Sequence, residues 1–124
     1  MTRETGAVVL VPRAEQRRVR WKNGAGWTTE LVVRPEDGAF DWRISVAEVE
    51  VDSEFSRFPA IDRTILVLEG AGFDLWVEGE PPAPLRAGGP PHAFSGDRAA
   101  RCVVVGPSRD FNVMTRRGRV AHAV

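Results

Sequence analysis

Apolar residues in this chain come in short runs rich in β-branched side chains, and almost every run ends at a glycine or proline. Runs this brief cannot supply the several turns an amphipathic helix needs, so they read as strands. Thr28 to Arg34 follows a glycine-rich turn and stops at Pro35. Trp42 to Val51 is the longest, with Trp42, Ile44 and Val46 on one face and Ser45, Ala47, Val49 and Val51 on the other. Apolar side chains on both faces predict a sheet covered on both sides. Val8 to Val11, Arg63 to Leu68, Phe73 to Val77, Arg101 to Val105, Phe111 to Thr115 and Val120 to Val124 read as further strands. About eight short strands at spacings near ten residues predict a sandwich, jelly roll or barrel. The link Glu69-Gly70-Ala71-Gly72 predicts a hairpin joining its two flanking strands. Residues 13–19 and 52–57 are the only stretches with any helical character. Gly79 to Pro91 holds five of the nine prolines, and proline has no N–H to give a ladder, so a loop is expected there.

A length of 124 residues suits one domain, 1–124, with a single core. Seventeen basic side chains offset seventeen acidic ones, so no net charge draws the chain to nucleic acid or to an anionic membrane. The arginine clusters at 13–20 and 116–119 read as solvated strand ends. No apolar stretch approaches the ~18 residues of a membrane span, and a cytoplasmic location is expected. Cys102 is the lone cysteine, set in the run Cys102-Val103-Val104-Val105, and is expected as a buried packing residue. With two histidines, His92 and His122, the inventory falls short of a three- or four-ligand metal site, so neither metal nor other cofactor is expected.

Three local constellations carry chemistry. Lys22-Asn23-Gly24-Ala25-Gly26 contains the only lysine, and its glycines permit a tight turn whose N–H groups can face an anion, although P-loop spacing is absent. Phe55 to Arg63 brackets Arg57 with two phenylalanines; it either caps a barrel mouth or is pinned to the core by Phe55 and Phe58. Arg43 lies within a strand. Pointing inward it needs a carboxylate or an anionic ligand, because an unpaired buried charge is costly; pointing outward it is an ordinary surface arginine. Small Ser45 and Ala47 on its face leave the room an inward guanidinium requires. Glu48, further along the same strand, and Glu30 are the carboxylates nearest such a pocket in pattern.

Taken together, Trp21 to Leu31, Phe40 to Val49, Phe55 to Arg63, Leu68-Glu69-Gly70, Phe94 to Asp97 and Asp110 to Met114 resemble, in order, segments of the HutD/Ves family of bacterial proteins. The resemblance runs from about residue 8 to residue 118. It implies an all-β, cupin-like (RmlC-type, jelly-roll) barrel without metal-binding histidines. It also implies a regulatory protein that binds a small carboxylate of histidine degradation, such as urocanate or a formylated glutamate. On that reading the ligand is held by Asn23, Thr28, Arg43, Ser45, Phe58 and Arg63, with the backbone at Gly24 and Gly26. The alternative is a metal-independent acid–base enzyme, an isomerase or hydrolase, with Glu30, Glu48 or Glu69 as the acid or base and Arg43 or Arg63 holding the substrate. A pocket in which catalytic groups converge favours the enzyme; a pocket with one arginine and no carboxylate counts against it. A third reading, an interaction module without a small ligand, expects a filled barrel interior. Ala25 and Ala60 stand where the family usually has glycine, so either can strain a backbone position with positive φ. Family members generally continue into a second barrel-like half beyond residues 116–118. The chain is therefore expected to be short relative to the family and to form a homodimer that covers what the missing half would cover.

Overall fold

Period-two alternation of apolar side chains builds two antiparallel sheets that close on each other. The computed structural model describes residues 16–36 and 38–124. Ten strands form: β1 (Arg17–Arg20), β2 (Gly26–Arg34), β3 (Trp42–Val49), β4 (Ser53–Phe55), β5 (Ile61–Gly70), β6 (Phe73–Val77), β7 (Ala83–Leu85), β8 (His92–Ser95), β9 (Ala100–Val104) and β10 (Ser108–Arg116). The larger sheet has the order β1-β2-β3-β10-β5-β8 and the smaller one β4-β9-β6-β7. Between them lies a core in which Val49, Ile65 and Val67 from the larger sheet meet Phe73, Leu75, Val77 and Cys102 from the smaller. Among the described residues no helix is long and apolar enough to cross a membrane.

Several local expectations change. The stretch from Glu69 to Gly72 is no hairpin turn: β5 pairs with β10 and β8, whereas β6 pairs with β9 and β7. The chain there crosses from one sheet to the other, and Gly70 (φ 99°) and Gly72 (φ 90°) supply backbone angles that a residue with a β-carbon rarely takes. Arg17–Arg20, which overlaps the first stretch of helical character, and Ser53–Phe55, within the second, are strands instead, because each finds an open sheet edge to pair with. The proline-rich segment contributes β7, an edge strand that tolerates Pro84 because its other side has no ladder to feed. Residues 120–124 form no strand. They return along the larger sheet, where the His122 ring hydrogen-bonds the Thr64 hydroxyl at 2.8 Å and the Thr115 hydroxyl at 2.7 Å. The run Val8 to Val11 and residues 13–15 lie outside the described residues.

Candidate binding site

Antiparallel register decides which side chains meet inside the larger sheet. Ser45 lies opposite both Glu30 and Asn112, Ala47 opposite Thr28 and Asp110, and Met114 opposite both Arg43 and Arg63. Because side chains at i and i+2 share a face, β3 sends Arg43, Ser45, Ala47 and Val49 inward, and β10 sends Ser108, Asp110, Asn112 and Met114 inward. One end of the interior is filled by Val49, Phe73 and their apolar neighbours. The other end is polar and encloses a cavity of about 530 Å³.

Two arginines enter this cavity from strands on either side of β10. The Arg43 side chain, 15% exposed, donates from Nε to Glu30 at 3.2 Å, and Glu30 also pairs with Arg17 at 3.4 Å. Arg63 is buried and lies among three rings, 4.8 Å from the centre of Phe94, 5.2 Å from Phe58 and 5.8 Å from Phe55. One of its Nη nitrogens donates to the Ser56 carbonyl at 3.3 Å, while its Nε has no partner in the protein. Burial lowers the Arg63 pKa to about 10, the Asp110 charge opposes that fall, and the Arg43 charge adds to it.

Asp110 is wholly buried at the floor of the cavity. Its Oδ1 accepts from Asn112, and its Oδ2 has no partner. Burial pushes its carboxyl up to about 7 against the opposing effects of the Asn112 hydrogen bond and the Arg63 charge. A carboxyl held near neutrality can be an acid or a base at physiological pH. The same burial, with the Asp110 charge contributing, raises the Cys102 thiol to about 11, which leaves it a packing residue.

Phe58 owes its place to the loop after β4. Its N–H donates to the Gly96 carbonyl at 2.8 Å, the Gly96 N–H donates to Ile61 at 2.7 Å, and the Ala60 N–H donates to Asp97 at 2.8 Å. A β-carbon at Gly96 would lie 2.3 Å from the Phe58 carbonyl oxygen, so only glycine permits this bracket. The loop therefore both pins itself to the sheet and walls the cavity, joining the two readings of it. At the opposite rim, Trp21 donates to the Thr28 hydroxyl at 2.7 Å and meets Phe55 edge-on.

Of the residues singled out beforehand, Asn23, Thr28, Arg43, Ser45, Phe58 and Arg63 all line the cavity. Gly24 and Gly26 do not; they shape the turn between β1 and β2. Asn23 is largely occupied with the same turn, accepting from the Ala25 N–H and donating to Ser53. Of the three glutamates, only Glu30 lines the cavity. Glu48 points to the other face of β3 and pairs with Arg18 at 2.6 Å, and exposed Glu69 pairs with Arg109. Sequence reasoning missed Asp110 and Asn112 as site residues. Their signal was Ser108, Asp110 and Asn112 alternating with Phe111 and Val113, a polar face that is hidden only once the fold turns it inward. Among the described residues no group of three or more His, Cys, Asp and Glu is placed to hold a metal.

Comparison with known proteins agrees with this architecture. A Cupin_2 domain of an XRE family transcriptional regulator from Enterobacter cloacae superposes with a TM-score of 0.59 over 73% of this chain and 96% of that one, at 17% identity, a likeness of fold alone. HutD from Pseudomonas fluorescens SBW25 superposes with a TM-score of 0.76 at 37% identity, covering 84% of this chain and 58% of that one. In sequence, the uncharacterized 21.2 kDa protein in the hutC 3' region of Pseudomonas putida is 40% identical over 100 residues, 78% of this chain and 52% of its own length. Protein Ves of Cronobacter sakazakii is 36% identical over 101 residues, 80% of this chain and 55% of its own length. The chain thus spans about half the length of the curated relatives it matches. The HutD family model matches residues 13–124, and this all-β, cupin-like chain belongs to the HutD family.

Proposed function

We propose that this chain binds a small carboxylate metabolite in the cavity, and that binding serves regulation of histidine degradation rather than turnover. The observation that carries the reading is the convergence of Arg43 and Arg63 from β3 and β5 on one cavity, with the Arg63 Nε buried and unpaired. Five basic and three acidic side chains line the space, an excess that suits an anion. A guanidinium binds a carboxylate through two parallel N–H groups, and the Phe55 and Phe58 rings offer an apolar wall to the rest of the molecule. The link to histidine degradation rests on family membership and on a relative described by its place beside hutC. Urocanate and a formylated glutamate both have the required size and charge.

Thermal-shift and calorimetric titration with trans-urocanate, N-formyl-L-glutamate and their uncharged amides tests the proposal. A true ligand at a hundredfold excess over its Kd stabilises the fold by about 2.7 kcal/mol, and the amides do not. Arg43→Lys keeps the charge but loses the planar fork, so binding weakens by ~1–3 kcal/mol. Equal response to acids and amides, or unchanged binding by Arg43→Lys, overturns the reading.

A second reading is favoured by a specific observation. Asp110 shares the cavity with Glu30, so catalytic carboxylates and arginines do converge there. That arrangement suits acid–base isomerisation or hydrolysis of the same class of carboxylate. NMR of candidate carboxylates incubated with the protein in D2O distinguishes the two: new product or solvent deuterium in the substrate, lost in Asp110→Asn, selects the enzyme.

A further inference from the structure

Two buried polar atoms of the cavity, one on Arg63 and one on Asp110, lack partners in the protein. Arg63 and Asp110 interact electrostatically, yet no hydrogen bond joins them, and the Arg63 Nε and Asp110 Oδ2 are left unsatisfied. Leaving such buried groups unpaired is costly, so the pair is poised for something that satisfies both. A second anion placed against ionised Asp110 in this buried space would be repelled, with Arg63 the one buried cation to share between them. Protonation of Asp110 removes the repulsion and turns Oδ2 from an acceptor into a donor.

We propose that Asp110 in its neutral, protonated form is a ligand-reading residue, and that the bound carboxylate accepts hydrogen bonds from both Arg63 Nε and Asp110 Oδ2. The inference rests on the binding reading above and adds to it a residue, a protonation state and a direction of pH dependence. One carboxylate then satisfies both orphaned atoms, and binding takes up a proton. The charged or titratable groups facing this site are Arg63 from β5, Arg43 from β3, Glu30 from β2, Arg17 and Arg20 from β1, Lys22 from the turn after β1, Glu54 from β4 and, behind the floor, Cys102 from β9. His92 and His122 do not line the cavity; the first pairs with Glu80 and the second with Thr64 and Thr115.

The sign follows from the free protein. Its Asp110 titrates at about 7, so it is mostly protonated at pH 6 and mostly ionised at pH 8. Binding that requires the protonated form is at full strength below that value and falls about tenfold per pH unit well above it.

Calorimetric titrations with formate and with N-formyl-L-glutamate, whose carboxylates titrate near ~4 and stay ionised throughout, test this. Between pH 6 and pH 8 the Kd is expected to weaken about tenfold in the native protein. Repeating the titration at pH 8 in buffers of different ionisation enthalpy should reveal close to one proton taken up per ligand bound. Asp110→Asn keeps the shape and a donor N–H, and its Kd should be nearly flat across the same range. The proton count needs no variant, so misfolding of Asp110→Asn leaves the proposal exposed to test. Binding without proton uptake, or the same pH dependence in Asp110→Asn, overturns the role of Asp110 while leaving carboxylate binding intact. Failure of every carboxylate to bind the native protein sinks the binding reading and this inference with it.

Discussion

Ala60 holds a left-handed backbone, with φ at 64°, and is the only non-glycine residue with positive φ among those described. A β-carbon crowds the following carbonyl there, which costs an L-residue roughly 1–2 kcal/mol. The position persists because both of its peptide groups are in use. Its N–H donates to Asp97, and its carbonyl accepts from the Arg117 N–H at 2.8 Å. The Ala60 N–H, with the Arg117 guanidinium and the Ser95 hydroxyl, holds the Asp97 carboxyl below its usual range. Ala60→Gly relieves the crowding but adds freedom to the unfolded chain, so a net gain of about 0.5–1 kcal/mol is expected. Thermal melting at equal concentration checks it; a variant that melts at or below the parent temperature contradicts the strain. Ala25, the other alanine for which the resemblance implies glycine, has no such conformation and is a buried packing residue. The sequence offers both alanines as places where strain could sit, but only backbone angles tell which one is strained.

Strands β2 and β3 are held at close quarters where the first glycine-rich turn ends. A β-carbon added at Gly26 would lie 2.1 Å from the Glu48 carbonyl oxygen, a backbone atom that cannot give way without opening the ladder. At Gly24 the same addition meets nothing, and the obstacle is only its φ of 74°. Gly26→Ala should therefore cost about 2–4 kcal/mol and Gly24→Ala nearer ~1 kcal/mol. Urea unfolding of the two variants side by side measures the contrast, and equal midpoints would show that the turn and not the strand contact sets the cost. β2 carries Thr28 and Glu30 into the cavity, so Gly26→Ala should also weaken ligand binding, whereas Gly24→Ala should leave it near the parent value. Strand positions such as these were legible from alternation and punctuation alone. Pairing was not: nothing local in Glu69 to Gly72 distinguishes a hairpin from a crossing between sheets, because both need glycine.

At the scale of the molecule, the outer face of the larger sheet is notably apolar for a surface. Ile44 and Val113 lie opposite each other there, as do Val46 and Phe111, with Leu66 beside Phe111, all half-buried, and Leu68 exposed. Relatives of about twice this length have further chain that this sequence does not match. A face of this kind favours self-association, and a homodimer is the expected state. Light scattering at tens of micromolar should give twice the 13.7 kDa chain mass, and Phe111→Glu should halve it. A monomeric mass for the parent chain at that concentration rules the dimer out.

Alternation, β-branched content and the glycine and proline stops determined that this chain is all-β, and they placed most of its long strands, because each of those signals acts within a few residues. Alternation also put Arg43 on one face with Ser45 and Ala47, leaving open which face was inside. The tertiary structure decided that face, because closing two sheets over one core gives each strand an inside that its own pattern does not label. It also decided that Asp110 and Arg63 share a cavity, since they lie far apart in sequence and only the antiparallel registry of β10 with β5 brings them together. The perturbed charge of that pair is a property of burial, and burial exists only once the fold is complete.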